Sequence, residues 1–237
     1  GNPVSIAPST KFRPAIIADG AAGAIIAWTD FRSGVSIGKA DIYAQHLLAS
    51  GRVDPAWPSD DLPLCTAAGD QGPSVIVSDG AGGAIVTWED RRSGEGDIYA
   101  QHLLASGRVD PAWPSDGRAL CTARAVQSEP AIVADGAGGA IITWVDRRSD
   151  DSHIYVQHVL ASGAVDPAWP ADGLAICTAP RDQSGPAIVA DGTGGAIIFW
   201  NDERSGTSDL KFCPLALSAN GKTGPRPAFV AGTVAVR

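Results

Sequence analysis

Short apolar runs separated by turn residues recur in a fixed order along this chain. Pro130 to Ala134 is one such run, closed by Asp135-Gly136, a hairpin turn signal. Gly139 to Val145 then reads Gly-Ala-Ile-Ile-Thr-Trp-Val and stops at Asp146. A polar loop, Arg147 to Ser152, leads to a third run, Ile154 to Leu160, ended by Ser162-Gly163. A Pro-rich connection, Asp166-Pro167-Ala168-Trp169-Pro170, precedes the fourth run, Leu174 to Thr178. These runs are too short and too β-branched for helices, so the pattern predicts four strands. Several are apolar on both faces, as in a sheet sandwiched between neighbouring sheets.

The same order occurs four times. Its markers Asp19, Asp79, Asp135 and Asp191 lie 60, 56 and 56 residues apart, and Trp28, Trp88, Trp144 and Trp200 keep the same step. The longer first interval comes from a loop at Val35 to Ala40. A four-stranded repeat of this length, buried on both faces, predicts an all-β fold: a β-propeller of four blades with four antiparallel strands each. The whole chain, 1–237, then forms one domain, with repeat cores at about 13–66, 73–122, 129–178 and 185–237. Gly1 to Ala7 aligns with Gly173 to Ala179, so residues 1–10 are expected to be an orphan strand that closes the ring. Thr233 to Arg237 competes for that place, and Arg226 to Ala231 echoes Arg13 to Ala18 as if a fifth unit began. A spare edge strand offers a docking template to a protein partner or a second copy.

Composition narrows the function. With 18 basic against 26 acidic side chains the net charge is −8, which excludes nucleic acid as a partner. No apolar run approaches the length of a membrane-spanning helix. Met is absent, even at position 1, which reads as a mature or excised segment without its start signal.

The stretch Pro130-Ala131-Ile132-Val133-Ala134-Asp135-Gly136, with Thr143-Trp144-Val145-Asp146-Arg147-Arg148-Ser149 and His153-Ile154-Tyr155-Val156, resembles the WD40-like repeat of the TolB type. Asp90-Arg91-Arg92-Ser93-Gly94 with Asp97-Ile98-Tyr99, and Asp30 to Gly34 with Asp41-Ile42-Tyr43, match that pattern more closely. The fourth copy departs, with Asp209-Leu210-Lys211 in place of Asp-Ile-Tyr. The resemblance implies a propeller used for binding or scaffolding outside the cytoplasm, extracellular or periplasmic, and carries over no catalytic residue.

Individual residues give few leads to chemistry. The Asp-x-Arg loop recurs at Asp30/Arg32, Asp90/Arg92, Asp146/Arg148 and Asp202/Arg204, and reads as structural. In that reading Asp caps the loop amides and Arg pairs with the Asp opening the next strand. His46, His102 and His158 sit on different blades, too far apart for one metal, and no Cys-x-x-Cys pair exists, so no metal or cofactor is expected. Trp57, Trp113 and Trp169, each in an Asp-Pro-Ala-Trp-Pro connection, are candidate sugar-stacking residues, with Tyr43, Tyr99 and Tyr155 following the same three-copy pattern. The competing reading makes each Trp a plug between blades. Near-identical blades and the absence of Gly-x-Ser-x-Gly, His-Glu-x-x-His or a phosphate loop point to a non-catalytic interaction scaffold, not an enzyme. The alternative is a multivalent lectin-like propeller, with a glycan-active hydrolase third.

Overall fold

The computed structural model describes residues 1–34, 40–216 and 224–225. Blade 1 comprises β1 (Lys11–Ala18), β2 (Ala24–Asp30), β3 (Asp41–Leu47) and β4 (Leu62–Cys65). Blade 2 comprises β5 (Gln71–Ser78), β6 (Ala84–Asp90), β7 (Asp97–Leu104), the two-residue β8 (Arg108–Val109) and β9 (Arg118–Cys121). Blade 3 comprises β10 (Gln127–Ala134), β11 (Ala140–Asp146), β12 (His153–Val159) and β13 (Leu174–Cys177). Blade 4 comprises β14 (Gln183–Ala190), β15 (Ala196–Asp202), β16 (Asp209–Ala216) and β17 (Gly224–Pro225). Each blade is an antiparallel meander, and the first strands β1, β5, β10 and β14 pack side by side around the axis. The architecture is a β-propeller. Among the described residues no helix is long and apolar enough to cross a membrane.

Each first strand starts earlier than its apolar run suggests. The strand of blade 3 begins at Gln127 rather than Pro130, because it crosses a β-bulge between Ser128 and Ala131. Equivalent bulges interrupt β1 between Phe12 and Ala15, β5 between Gln71 and Ser74, and β14 between Ser184 and Ala187. A bulge leaves residues outside the hydrogen-bond ladder, which is where a strand tolerates proline.

The core lies in the seams between blades. Ile25, Ala27 and Leu64 of blade 1 meet Val86 and Trp88 of blade 2, and equivalent clusters fill the next two seams. The pattern stops there. Val189, the counterpart of Val77 and Val133, is 52% exposed, and Ile16, the counterpart of Ile76 and Ile132, is 65% exposed. Residues 1–10 form no strand, contrary to the expected ring closure. Pro3 and Pro8 lack the N–H groups a ladder needs, and β16 takes β17 as its outer partner. Val4 instead packs on Ile26, Trp28 and Tyr43 of blade 1. The rival closing segment, Thr233 to Arg237, and the echo at Arg226 to Ala231 lie outside the described residues, as does most of the Val35 to Ala40 loop.

Each seam is tied by one buried carboxylate. Asp146, fully buried, accepts from Trp144 Nε1 (2.9 Å) and from Arg148 Nε (2.8 Å) and Nη2 (2.6 Å). Arg148 also reaches Cys121 Sγ (3.2 Å) and the Asp172 carbonyl (2.7 Å). The carboxylate caps the loop through Arg148 N–H. The Arg does not pair with the Asp that opens the next strand; in blades 1, 2 and 4 the adjacent Ser takes that role, as Ser93 Oγ does with Asp97 (2.7 Å). The reason is reach: the guanidinium folds back over Tyr155, 4.1 Å from the ring centroid, and so faces Asp146.

In blade 4 burial alone would raise the Asp202 pKa, but hydrogen bonds from Arg204 and Trp200 bring it down to about 2. A carboxylate held below its ordinary value of 3.8 stabilises the fold above that value, and the contribution is lost as pH falls through the folded one. Urea midpoints should therefore fall between pH about 4 and about 2, and Arg204→Met should flatten that slope. An unchanged slope in the variant would exclude this pair as the source.

Candidate functional site

The bulges do more than accommodate proline. Units 3 and 4 read Gln-Ser-Glu-Pro-Ala-Ile-Val-Ala-Asp-Gly and Gln-Ser-Gly-Pro-Ala-Ile-Val-Ala-Asp-Gly, identical but for Glu129 against Gly185. The equivalents in units 1 and 2 are Arg13 and Pro73. Gly185 has φ +58°, a conformation glycine adopts freely, whereas Arg13 (+46°) and Glu129 (+55°) hold it with full side chains. For an L-residue that region costs about 1–2 kcal/mol. Bulges of this kind re-aim side chains beside active sites.

Here they aim into one cavity. A pocket of about 290 Å³ next to the axis is lined by Arg13 of blade 1, Pro73, Val75 and Glu89 of blade 2, and Glu129 and Pro130 of blade 3. Glu89 is also a departure from the repeat, since Thr29, Val145 and Asn201 hold its place. Its side chain is 14% exposed, and Arg91 donates from Nε (3.0 Å) and Nη2 (2.7 Å) to Oε1. Gly96 leaves room for this carboxylate: a Cβ there would stand 2.9 Å from Glu89 Oε1. Glu129 is exposed, and its Oε2 accepts from the Gly185 N–H of blade 4 (3.1 Å). Two carboxylates from different blades thus share a cavity with the Arg13 guanidinium. Among the described residues no group of three or more His, Cys, Asp or Glu is placed to hold a metal ion.

The aromatic residues singled out in the sequence lie elsewhere. Trp57, Trp113 and Trp169 are only 4%, 4% and 5% exposed, wedged at the seams. Trp57 Nε1 donates to the Ala105 carbonyl (3.3 Å) and Trp113 Nε1 to that of Ala161 (3.4 Å), each in the following blade. Gly107 and Gly163 admit the indoles, since a Cβ at either would come within 2.8 Å of the ring. Each indole also leans on an imidazole, His46, His102 or His158. That imidazole spans two carboxylates, as His158 does between Asp135 (2.9 Å) and Asp166 (2.9 Å). Tyr43, Tyr99 and Tyr155 lie under Arg32, Arg92 and Arg148, at 3.6, 4.0 and 4.1 Å from the ring centroids. The guanidinium groups cover the tyrosine rings, and Trp57 lines a second pocket of about 360 Å³ together with Val4, Asp54 and Ser59. The cysteines of the seams are free thiols, and burial pushes Cys65 and Cys121 up to about 12.

No family model matches the chain, and no curated protein does. Solved structures show the fold. A Dyadobacter fermentans protein of unknown function superposes with a TM-score of 0.56 at 7% identity, over 92% of this chain and 68% of the other. An ulvan lyase bound to -[GlcA(1-4)Rha3S]- gives 0.52 at 10% identity, over 85% and 55%. An endo-1,4-β-xylanase from Bacteroides thetaiotaomicron gives 0.50 at 8% identity, over 95% and 78%. These neighbours correct two expectations. Glycan-active enzymes share this fold, so neither a non-catalytic scaffold nor the lack of an activity can be read from the propeller, as the sequence had suggested. That view rested on blades too alike to carry distinctive residues, and Arg13, Glu89 and Glu129 are such residues.

Replacing Glu129 by Gly, the residue unit 4 carries, relieves the left-handed strain. The unfolding free energy should rise by about 1 kcal/mol, measured by urea denaturation. A loss of stability would mean that Glu129 serves the scaffold.

Proposed function

We propose that this propeller hydrolyses glycosidic bonds, with Glu89 and Glu129 as its carboxylate pair at the axial mouth. One observation carries the reading: two acids from different blades, each at a position where the other repeats have none, line a single cavity. Glycoside hydrolysis asks for a pair of carboxyl groups flanking one bond. The likeness to a xylanase and an ulvan lyase supports a polysaccharide as substrate.

The two acids take different parts. Arg91 fixes Glu89, which accepts a proton from water as the water oxygen bonds to the anomeric carbon. Glu129 stands exposed on its bulge and gives its proton to the glycosidic oxygen as the bond to that carbon breaks. A seam-held frame fixes both strands that present them, so the pair keeps its geometry without a mobile loop.

Xylan, ulvan and a set of neutral and acidic polysaccharides are the substrates to test, read as new reducing ends. The wild type should release them, and Glu89→Gln and Glu129→Gln should each lower kcat about 10²- to 10⁴-fold with the circular dichroism spectrum unchanged. Absence of turnover on every substrate, or wild-type rates in both variants, would overturn the proposal. An unsaturated product would replace hydrolysis by elimination.

A further inference from the structure

We infer that the glycan bound at the axial mouth carries an anionic group, a uronate carboxylate or a sugar sulfate, which Arg13 grips while Phe12 supports an adjoining sugar ring. The inference rests on the proposed reading of the cavity and names its substrate class. Three observations meet at these two residues. Arg13 lines the cavity, yet among the described residues its guanidinium makes no hydrogen bond or ion pair; its recorded contact is with the Phe12 ring, 5.3 Å from the centroid. The arginines that hold the scaffold behave otherwise: Arg32, Arg92, Arg148 and Arg204 each close on an aspartate, and Arg91 closes on Glu89. Among the described residues Arg13 is thus a cation held in no ion pair, although Glu129 lines the same cavity, in a chain of net charge −8.

The backbone bears this out. A bulge position that glycine would occupy at no cost is given to Arg, at φ +46°. Strain of that kind persists where the side chain is needed in that place. The preceding residue is equally particular to blade 1. Phe12 stands where the other units have Gly72, Ser128 and Ser184, and it is 51% exposed while the tryptophans are buried. An aromatic face is electron-rich and attracts the slightly positive C–H face of a pyranose as it attracts a guanidinium. The planar fork of Arg matches the two oxygens of a carboxylate or sulfate, which Lys does not. Within the cavity the Glu89 charge is already met by Arg91, which leaves the Arg13 guanidinium open to an incoming anion.

Calorimetric titration with glucuronate-containing oligosaccharides, their carboxyl-reduced counterparts and sulfated and desulfated pairs tests this directly. The wild type should prefer an acidic form by about tenfold. Arg13→Met should abolish the preference while keeping affinity for the neutral form, and Arg13→Lys should restore it only in part. Phe12→Ala should weaken acidic and neutral forms alike. Loss of the preference on carboxyl reduction identifies a uronate, and loss on desulfation a sulfate. Equal binding of acidic and neutral forms by the wild type, or an undiminished preference in Arg13→Met, would overturn the inference. Turnover of neutral glycans without any acidic preference would sink this inference and leave the carboxylate pair standing. An Arg13-dependent preference with no turnover of any glycan would do the reverse.

Discussion

A fully buried carboxylate ends the second strand of every blade, and the propeller is organised around it. Asp30, Asp90, Asp146 and Asp202 are each 0% exposed, so each must be paired or the fold bears an uncompensated charge. The partners come from three directions: the Trp two residues earlier, the Arg two residues later and, in blades 2 to 4, the thiol that ends the preceding blade's last strand. In blade 1, where no blade precedes, Ser9 Oγ takes the thiol's place at 2.7 Å. In blades 2 and 3 the Arg also covers a Tyr, bonds a loop carbonyl of its own blade and reaches the thiol of the preceding one, so one ion pair fixes three elements at once. This explains why Asp-x-Arg recurs in all four units. It supports position and carries no chemistry of its own.

That arrangement also accounts for where chemistry can sit. Seam residues are committed on both sides, so substitution there opens a cavity or strands a charge. The bulge positions of the first strands make no such demand, and at the position before each buried Asp the seam covers Thr29 and Val145 but leaves Glu89 and Asn201 partly or fully exposed. They are the places at which near-identical units disagree: Arg13, Pro73, Glu129 and Gly185 in one set, Thr29, Glu89, Val145 and Asn201 in the other. Strain at Arg13 and Glu129 marks them as kept against the preference of the fold. The regular blades form a rigid frame, and the exceptions gather at its axis.

The strand order and most strand boundaries were legible because turn residues and β-branched runs act locally. The bulges were not, since proline looked like the start of a strand when it was a residue the ladder had bypassed. Trp57, Trp113 and Trp169 were ambiguous for a related reason. A three-copy aromatic in a loop reads the same whether it meets a sugar or the glycine of the next blade, and Gly107 and Gly163 lie about fifty residues away. Glu89 and Glu129 were missed because neither has a motif and forty residues separate them. Only the curvature of the fold brings them together. Their signal was disagreement among repeats, whereas recurrence drew attention to the seams.

Hydrogen exchange with and without oligosaccharides of xylan and ulvan would settle where a glycan binds. Protection at residues 11–15, 71–75, 88–91 and 127–131, the strand ends around the axial cavity, is the result expected. Protection confined to the Trp-containing connections at 54–59, 110–115 and 166–171 would contradict the assignment of the site to the blade-specific residues.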